Sequence, residues 1–156
     1  MTVPADQSAT AFHEAGHAVV ALLHGRPVGK VSILPNRLRL GHCEVRKGSF
    51  GPKQDTLETE MLILLGGPAA EARHSGEYCW RAAAQDLRDV RKLALLRAGN
   101  DRKAERLERR LLDKIENLLD REEVWRAVEL IANELLQRTE ISGRAARHFF
   151  DEAGVR

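Results

Sequence analysis

The sequence is poor in aromatic residues, cysteines and long apolar runs, and each shortage excludes a class of protein. Phenylalanine, tryptophan and tyrosine make up only 4% of its 156 residues. Leucine, valine, isoleucine and alanine must therefore build the core, a composition that favours helices. Two cysteines, Cys43 and Cys79, cannot form a disulfide framework, and neither has the paired spacing of a structural metal site. We expect reduced thiols in a cytoplasmic protein.

The sequence also shows no sign of a membrane segment or of a surface for nucleic acids. Apolar runs such as Met61 to Leu65 are far too short to cross a bilayer. Met1 to Thr10 lacks the basic and apolar regions of a signal peptide. The 25 basic and 23 acidic residues leave a net charge of only +2. Their signs alternate between Arg97 and Arg126, which is typical of solvated helix surfaces rather than of a nucleic-acid-binding face.

Apolar spacing predicts one domain over residues 1–156, mainly α-helical with a small β-sheet near the N-terminus. Ser8 or Thr10 is expected to cap the first helix. Gly66-Gly67-Pro68 is expected within or just after the helix that begins at residue 56, and Pro68 is a suitable first residue for a continuation over 69–73. Helices are predicted over residues 8–24, 56–65, 69–73, 81–98 and 145–153, two more within 101–138 as an antiparallel hairpin, and strands over 28–34 and 38–45.

The first predicted helix carries two histidines and a glutamate in the arrangement of a catalytic zinc site. His13 and His17 are four residues apart, so both imidazoles leave the same helix face about one turn apart. Two such nitrogens, a third protein ligand and a water form a catalytic zinc centre. Glu14 lies beside this face and can take a proton from an activated water. Ala15 and Gly16 are small enough to let another backbone segment approach.

A simpler interpretation of this motif is two surface histidines with a neighbouring glutamate. The motif has the helical context that a zinc peptidase requires, and this favours the metal site. A third ligand must come from elsewhere, because His24 is nearly two turns beyond His17 and too far along the axis to share an ion. Spacing alone does not choose among the downstream candidates, which are Glu71, His74, Asp86 and Asp89.

Four stretches of the chain form a recognisable series. They are residues 11–20 (AFHEAGHAVV), 27–35 (PVGKVSILP), 64–71 (LLGGPAAE) and 85–87 (QDL). In this order they resemble the peptidase domain of the FtsH family of ATP-dependent zinc metalloproteases, peptidase family M41. Residues 136–143, which include TEISG at 139–143, also resemble the C-terminal tail of that family. The resemblance covers nearly the whole chain and implies an FtsH-type helical metallopeptidase domain.

The resemblance implies a third ligand for one Zn²⁺. In the family this ligand is an aspartate in an Asn-Asp-Leu segment that opens a later helix, and Asp86 occupies that place here. With His13 and His17 it would hold the metal between the predicted helices 8–24 and 81–98. Asp89, one turn later, is the second candidate for the third ligand, although a solvent-exposed helix charge is the better interpretation of this residue.

The other two candidates for the third ligand have different expected roles. Glu71 matches the Ala-Ala-Glu of the family and would support the histidines from nearby. His74 has no counterpart and is expected to be an exposed histidine in a loop over residues 74–78.

The strand after the first helix is implied to pair with extended substrate. The matching residues are Val31, Ser32, Ile33 and Leu34. An edge strand can bind any polypeptide through its backbone groups. We therefore expect a zinc endopeptidase that cleaves unfolded or peptide substrates with little sequence preference.

Several departures from the family qualify this expectation. Pro68 stands where the family usually has arginine, and the chain contains no ATPase module. We expect it to act on peptides or unfolded chains, or beside a separate ATPase or unfoldase; it could also be a fragment of a longer protein. The family forms six-membered rings, so a homohexamer is a further implication of the resemblance.

Two other functions are compatible with the sequence. One is a non-catalytic, zinc-stabilised interaction module that uses helices 101–138 as its binding surface. The other is a regulatory factor, related to metallopeptidases, that acts on a single protein target. Glu14 favours the peptidase, since a binding module has no use for the general base.

Overall fold

The computed structural model describes residues 5–35, 40–48 and 55–156. Within these residues the fold is mainly α-helical with a small antiparallel sheet, as predicted. None of the described helices is long and apolar enough to cross a membrane. The elements are α1 (Ala5–Leu23), β1 (Val28–Ser32), β2 (His42–Val45), α2 (Thr56–Ser75), α3 (Trp80–Ala98), α4 (Asp101–Leu119), α5 (Glu122–Arg138), β3 (Glu140–Ile141) and α6 (Gly143–Glu152).

Helix α1 lies in the centre of the molecule. It packs against α2 along one face and against α5 along another. Its residues from Ala11 to Leu22 are all buried, so it is covered on every side. The contact with α2 is unusually close, because a Cβ added to Gly16 would stand 2.3 Å from the carbonyl oxygen of Gly66. The small residues of the first helix thus admit a backbone segment, as predicted.

Helix α1 begins earlier than its sequence suggests. It starts at Ala5, so Ser8 and Thr10 lie inside the helix and the prediction that one of them caps it is wrong. Ser8 instead places its hydroxyl oxygen 3.0 Å from Nε2 of His74, at the end of α2. The helix ends at Leu23, close to the predicted end.

Helix α2 is continuous, so Gly66-Gly67-Pro68 lies within it and not after its end, and no separate helix starts at Pro68. Asp55 caps its start by accepting a hydrogen bond from the backbone N–H of Glu58, and Gly76, with φ of 96°, ends it. Pro68 removes one helical N–H, a local cost that burial of nearly every residue from Met61 to Ala72 outweighs. His74 consequently lies in the last turn of α2 and not in a loop.

The sheet has the order β2-β1-β3, with both pairings antiparallel. Val31 pairs with Cys43 on one side and with Ile141 on the other. Strand β3 was not predicted, because two residues carry no periodic signal. It makes β1 the central strand.

The central position of β1 corrects the expectation that residues 31–34 form an edge for substrate. Ser32 pairs with β2 and with β3, and the N–H of Ile33 donates to the carbonyl of Thr139 at 2.9 Å. The N–H of Leu34 is bonded to the hydroxyl of Ser32 at 3.1 Å. Of the predicted strand 38–45, the part from His42 to Val45 is present, and residues 36–39 lie outside the described residues.

Helices α4 and α5 meet at Asp120 and Arg121, as predicted, but they do not form a hairpin packed on itself. Helix α4 packs mainly against α2 and α3, whereas α5 packs mainly against α1. The buried stripes of both helices face these partners. They contain Leu107, Leu111, Ile115 and Leu119 in α4 and Val124, Val128, Ile131 and Leu135 in α5.

Candidate metal centre

The two histidines of the motif project from one face of α1 towards α2 and α3. His13 and His17 are each 9% exposed, and Glu14 is also buried. Their rings meet edge to face, with centroids 4.8 Å apart and an angle of 76° between planes. This contact follows from the four-residue spacing, which stacks the two side chains on one face.

Asp86 approaches both imidazoles from α3. Its Oδ2 lies 2.8 Å from Nε2 of His13 and 3.3 Å from Nε2 of His17. His13, Glu14 and His17 each offer one ligand atom, and these three atoms lie within 4.8 Å of one another. Two nitrogens and a carboxylate oxygen thus converge on one point, and a second carboxylate lies beside it.

The opposite ring nitrogens are held by α2. Nδ1 of His17 lies 2.7 Å from the carbonyl oxygen of Ile63. A carbonyl only accepts, so this Nδ1 carries a hydrogen and Nε2 faces Asp86. Nδ1 of His13 lies 3.0 Å from Oε1 of Glu71, which leaves its Nε2 facing Asp86 as well. Glu71 therefore lies where the resemblance implied.

Burial and hydrogen bonding act in opposite directions on the titrating groups of this site. Burial alone would lower the pKa of His13, but hydrogen bonds to Asp86 and Glu71 outweigh it and raise the pKa to about 10. Burial alone would raise the pKa of Asp86, yet its hydrogen bonds to the two histidines hold that pKa well below the usual range. Burial raises the pKa of Glu14, and the nearby histidines oppose this effect.

The donor set fits a zinc ion. Catalytic zinc centres take three protein ligands from histidine nitrogens and carboxylate oxygens and keep one position for water. Histidines that bind zinc normally donate their other N–H to a carboxylate or carbonyl, and His13 and His17 have these acceptors in place. A dication bound here would need the Nε2 atom of each imidazole free of a proton.

The sequence profile of peptidase family M41 matches residues 1–98, more than half of the chain. The chain belongs to this family. M41 is a family of zinc metallopeptidases, so the resemblance in the sequence is confirmed. The match includes α1, α2 and α3, the three helices that supply the site.

Individual members of the M41 family are similar to this chain over shorter stretches. An ATP-dependent zinc metalloprotease FtsH of Chlamydia trachomatis is 36% identical over 92 residues, which are 56% of this chain and 10% of the relative. A mitochondrial inner membrane m-AAA protease component of Mus musculus is 38% identical over 90 residues, or 56% of this chain and 11% of the relative. The matched stretch thus spans about a tenth of these relatives' length.

The other candidate ligands lie elsewhere. Asp89 is half-buried and accepts a hydrogen bond from the side chain of Gln85 at 3.0 Å. His24 follows α1, and its Nδ1 lies 2.8 Å from the carbonyl of Val20. The exposed ring of His74 stacks on Phe12 at a centroid distance of 3.8 Å.

The position of Asp86 within its helix differs from the expectation. The resemblance to the M41 family placed it at the opening of a helix. Helix α3 begins at Trp80, so Asp86 lies in the second turn. Its carboxylate is therefore held by a formed helix and not by a helix start.

Three residues at this M41 site carried no stated role in the sequence. A Cβ on Gly67 would lie 2.4 Å from Nε2 of His17, and a Cβ on Gly41 would lie 2.9 Å from Cγ of Glu14. The third contributor is the carbonyl of Ile63. Gly67 belongs to a stretch that resembles the family, so the sequence contains a signal for its role. The sequence contains no signal for the role of the Ile63 carbonyl, because a residue of any type has a backbone carbonyl.

Proposed function

We propose that this chain is a zinc-dependent endopeptidase in which His13, His17 and Asp86 hold the metal and Glu14 is the general base. The observation that carries the proposal is the approach of two Nε2 atoms to one carboxylate oxygen, at 2.8 and 3.3 Å, beside a second buried carboxylate. Asp86 contacts the Nε2 atoms of both imidazoles, which favours it as the third ligand and leaves Glu14 for proton transfer.

Catalysis by this site divides between the ion and the protein. Zinc, when bound, would supply the Lewis acidity that polarises the scissile carbonyl and acidifies the attacking water. Glu14 accepts a proton from that water and donates it to the leaving amine nitrogen. Burial of Glu14 raises its pKa, which makes its carboxylate a stronger base than an exposed glutamate. The hydrogen bonds that the imidazoles donate to the carbonyl of Ile63 and the carboxylate of Glu71 keep the rings from rotating during the reaction.

We infer that extended substrate binds along β2. Strand β1 is covered on both sides, whereas β2 has a described neighbour only on its β1 side. Gly41, directly before β2, packs against Glu14 and places the start of this strand at the site. An edge strand binds backbone groups of any sequence. Unfolded polypeptides and peptides are therefore the proposed substrates.

We infer that delivery of folded substrates requires an ATPase. The relatives from Chlamydia trachomatis and other bacteria are named ATP-dependent, and the residues described here form the peptidase portion. A ring of six copies that works with such a motor is the arrangement that the family resemblance favours. A non-catalytic zinc module would leave the buried Glu14 without a role, and this makes it the weaker alternative.

The proposal is tested by zinc content and cleavage of an unfolded protein. Glu14→Gln is expected to keep about one zinc per chain and to lose cleavage by about 10²- to 10⁴-fold, since the base is removed but the ligands stay. Glu129→Gln, the same change at an exposed position of α5, is the control and should behave like the wild type. A wild-type chain without bound zinc, or equal cleavage by Glu14→Gln, would show the proposal to be wrong.

A further inference from the structure

One face of α2 holds both metal-binding imidazoles. Ile63, Gly67 and Glu71 are four residues apart and therefore lie in one row along the helix. The first residue of this row holds Nδ1 of His17 at 2.7 Å, and the last holds Nδ1 of His13 at 3.0 Å. Gly67 lies between them and faces the two rings.

Gly67 lies against the edges of the rings that face the metal position. A Cβ built on it would stand 2.4 Å from Nε2 and 2.5 Å from Cε1 of His17. The same atom would stand 2.8 Å from Cδ2 of His13. Contacts this short force one group to move. Any side chain at position 67 must therefore displace a ring or occupy the space beside its coordinating nitrogen.

The neighbouring glycine has a different environment. A Cβ on Gly66 would meet Cγ2 of Val20 at 2.7 Å and the carbonyl oxygen of Gly16 at 3.0 Å. These atoms belong to the packing of α1 on α2 and not to the imidazoles. Gly66 therefore sets the distance between the helices, whereas Gly67 touches the ligands themselves.

We propose that Gly67 is a positioning residue whose missing side chain keeps the Nε2 atoms of His13 and His17 free and aimed at the metal. The inference rests on the proposed zinc site, since the metal is what these atoms are aimed at. Glycine weakens a helix interior, and alanine at this position would favour the helix. The requirement for glycine therefore comes from the rings and not from α2.

The matched variants Gly67→Ala and Gly66→Ala separate positioning from packing. Zinc affinity is measured by competition with a chromophoric chelator, and ligand geometry by the visible spectrum of the Co²⁺-substituted protein. Gly67→Ala is expected to lower zinc affinity about 10- to 100-fold, the range seen when groups that orient zinc ligands are removed, and to change the Co²⁺ spectrum. Gly66→Ala should lower the melting temperature and keep the wild-type spectrum and affinity.

Two results in this comparison would overturn the inference. One is a Gly67→Ala variant with wild-type zinc affinity and Co²⁺ spectrum. The other is an equal loss of affinity in both variants, which would assign the effect to helix packing. A wild-type chain that binds no zinc would instead refute the proposed function.

A double-mutant cycle in the metal-free protein tests the same contact if Gly67→Ala folds poorly. In the wild-type background the added methyl group clashes with His17 and should lower the melting temperature. In a His17→Ala background the nearest clash is gone, so Gly67→Ala should have a much smaller effect or stabilise the helix. An equal loss of stability in both backgrounds would show that His17 is not what requires glycine.

Discussion

The helices that supply the metal site and the helices that follow them are packed in different ways. In α1 every residue from Ala11 to Leu22 is buried, and glycines bring its backbone against α2. In α4 a buried residue occurs only every three or four positions, and charged residues cover the remaining faces. The first arrangement leaves no space for a side chain where the two helix backbones meet. The second requires only an apolar stripe.

The two regions also differ in what they contribute to the protein, and this follows from their difference in packing. Residues 1–98, which the family profile matches, contain both histidines and all three carboxylates of the site, Glu14, Glu71 and Asp86. Residues 99–156 contain no part of the proposed site, yet α5 covers α1 and β3 completes the sheet on β1. The comparison therefore predicts that changes in the first region affect zinc and catalysis, whereas changes in the second affect stability.

Removal of residues 99–156 should have the largest effect. The truncated chain would lose Val124, Val128, Ile131 and Leu135, which α5 buries completely. Each such side chain contributes about 1.5–3 kcal/mol, so the loss is comparable to the whole stability of a domain, about 5–15 kcal/mol. Thermal unfolding followed by circular dichroism should show no cooperative transition. Deletion of Gly154 to Arg156 alone is the control, and a cooperatively folded 1–98 fragment would contradict the comparison.

Asp86→Ala should have the next largest effect, now on zinc. Loss of a group that merely orients a ligand costs about 10- to 100-fold in affinity, so loss of a ligand should exceed 100-fold. The measurement is chelator competition on the folded protein. Asp89→Ala removes a carboxylate one turn along α3 and should leave affinity unchanged. Equal affinities of the two variants would remove Asp86 from the site.

Ile131→Ala tests whether residues 99–156 contribute to stability and not to zinc binding. Ile131 is completely buried in α5, and truncation of such a side chain costs about 2–5 kcal/mol of unfolding free energy. Urea unfolding measures this loss, and zinc affinity of the folded variant should stay at the wild-type value. Leu130→Ala, at a half-buried neighbour, should cost clearly less. A large fall in zinc affinity for Ile131→Ala would show that the two regions are coupled.

The features that could be predicted from the sequence are those with a periodic or local signal. The apolar repeat gave the amphipathic helices α4 and α5, and the four-residue spacing gave the shared face of His13 and His17. The family resemblance, and not the periodicity, nominated Asp86. Nothing in the sequence near Asp86 predicts that α3 packs with this residue beside α1.

The features that could not be predicted depend on tertiary contact. Strand β3 is two residues long and exists because α5 delivers Glu140 and Ile141 to the side of β1. Pro68 and its two preceding glycines are typical of a helix break, but burial between α1 and the rest of the core keeps α2 whole. In both cases packing energy outweighs a weak local preference.

The smallest expected effect lies at Asp55, which links the start of α2 to the end of α3. Hydrogen bonds from Arg97, at 2.6 and 2.7 Å, lower the pKa of Asp55 from 3.8 to about 2, and its bond from Glu58 acts in the same direction. The folded pKa is the lower one, so the ionised group stabilises the fold above about pH 4, and this contribution disappears as pH falls towards 2. The pair lies at the surface, so solvent screening keeps the effect small.

Asp55→Asn isolates this contribution, because asparagine still caps a helix but carries no charge. Urea unfolding of both proteins at about pH 7, 4 and 2.5 should show the wild type more stable at the two higher values, with a clearly smaller difference at the lowest. A difference that stays constant across this range would mean that the Arg97 contact contributes nothing through its charge. That outcome would leave Asp55 with only its capping role, and the joint between α2 and α3 would depend on apolar packing alone.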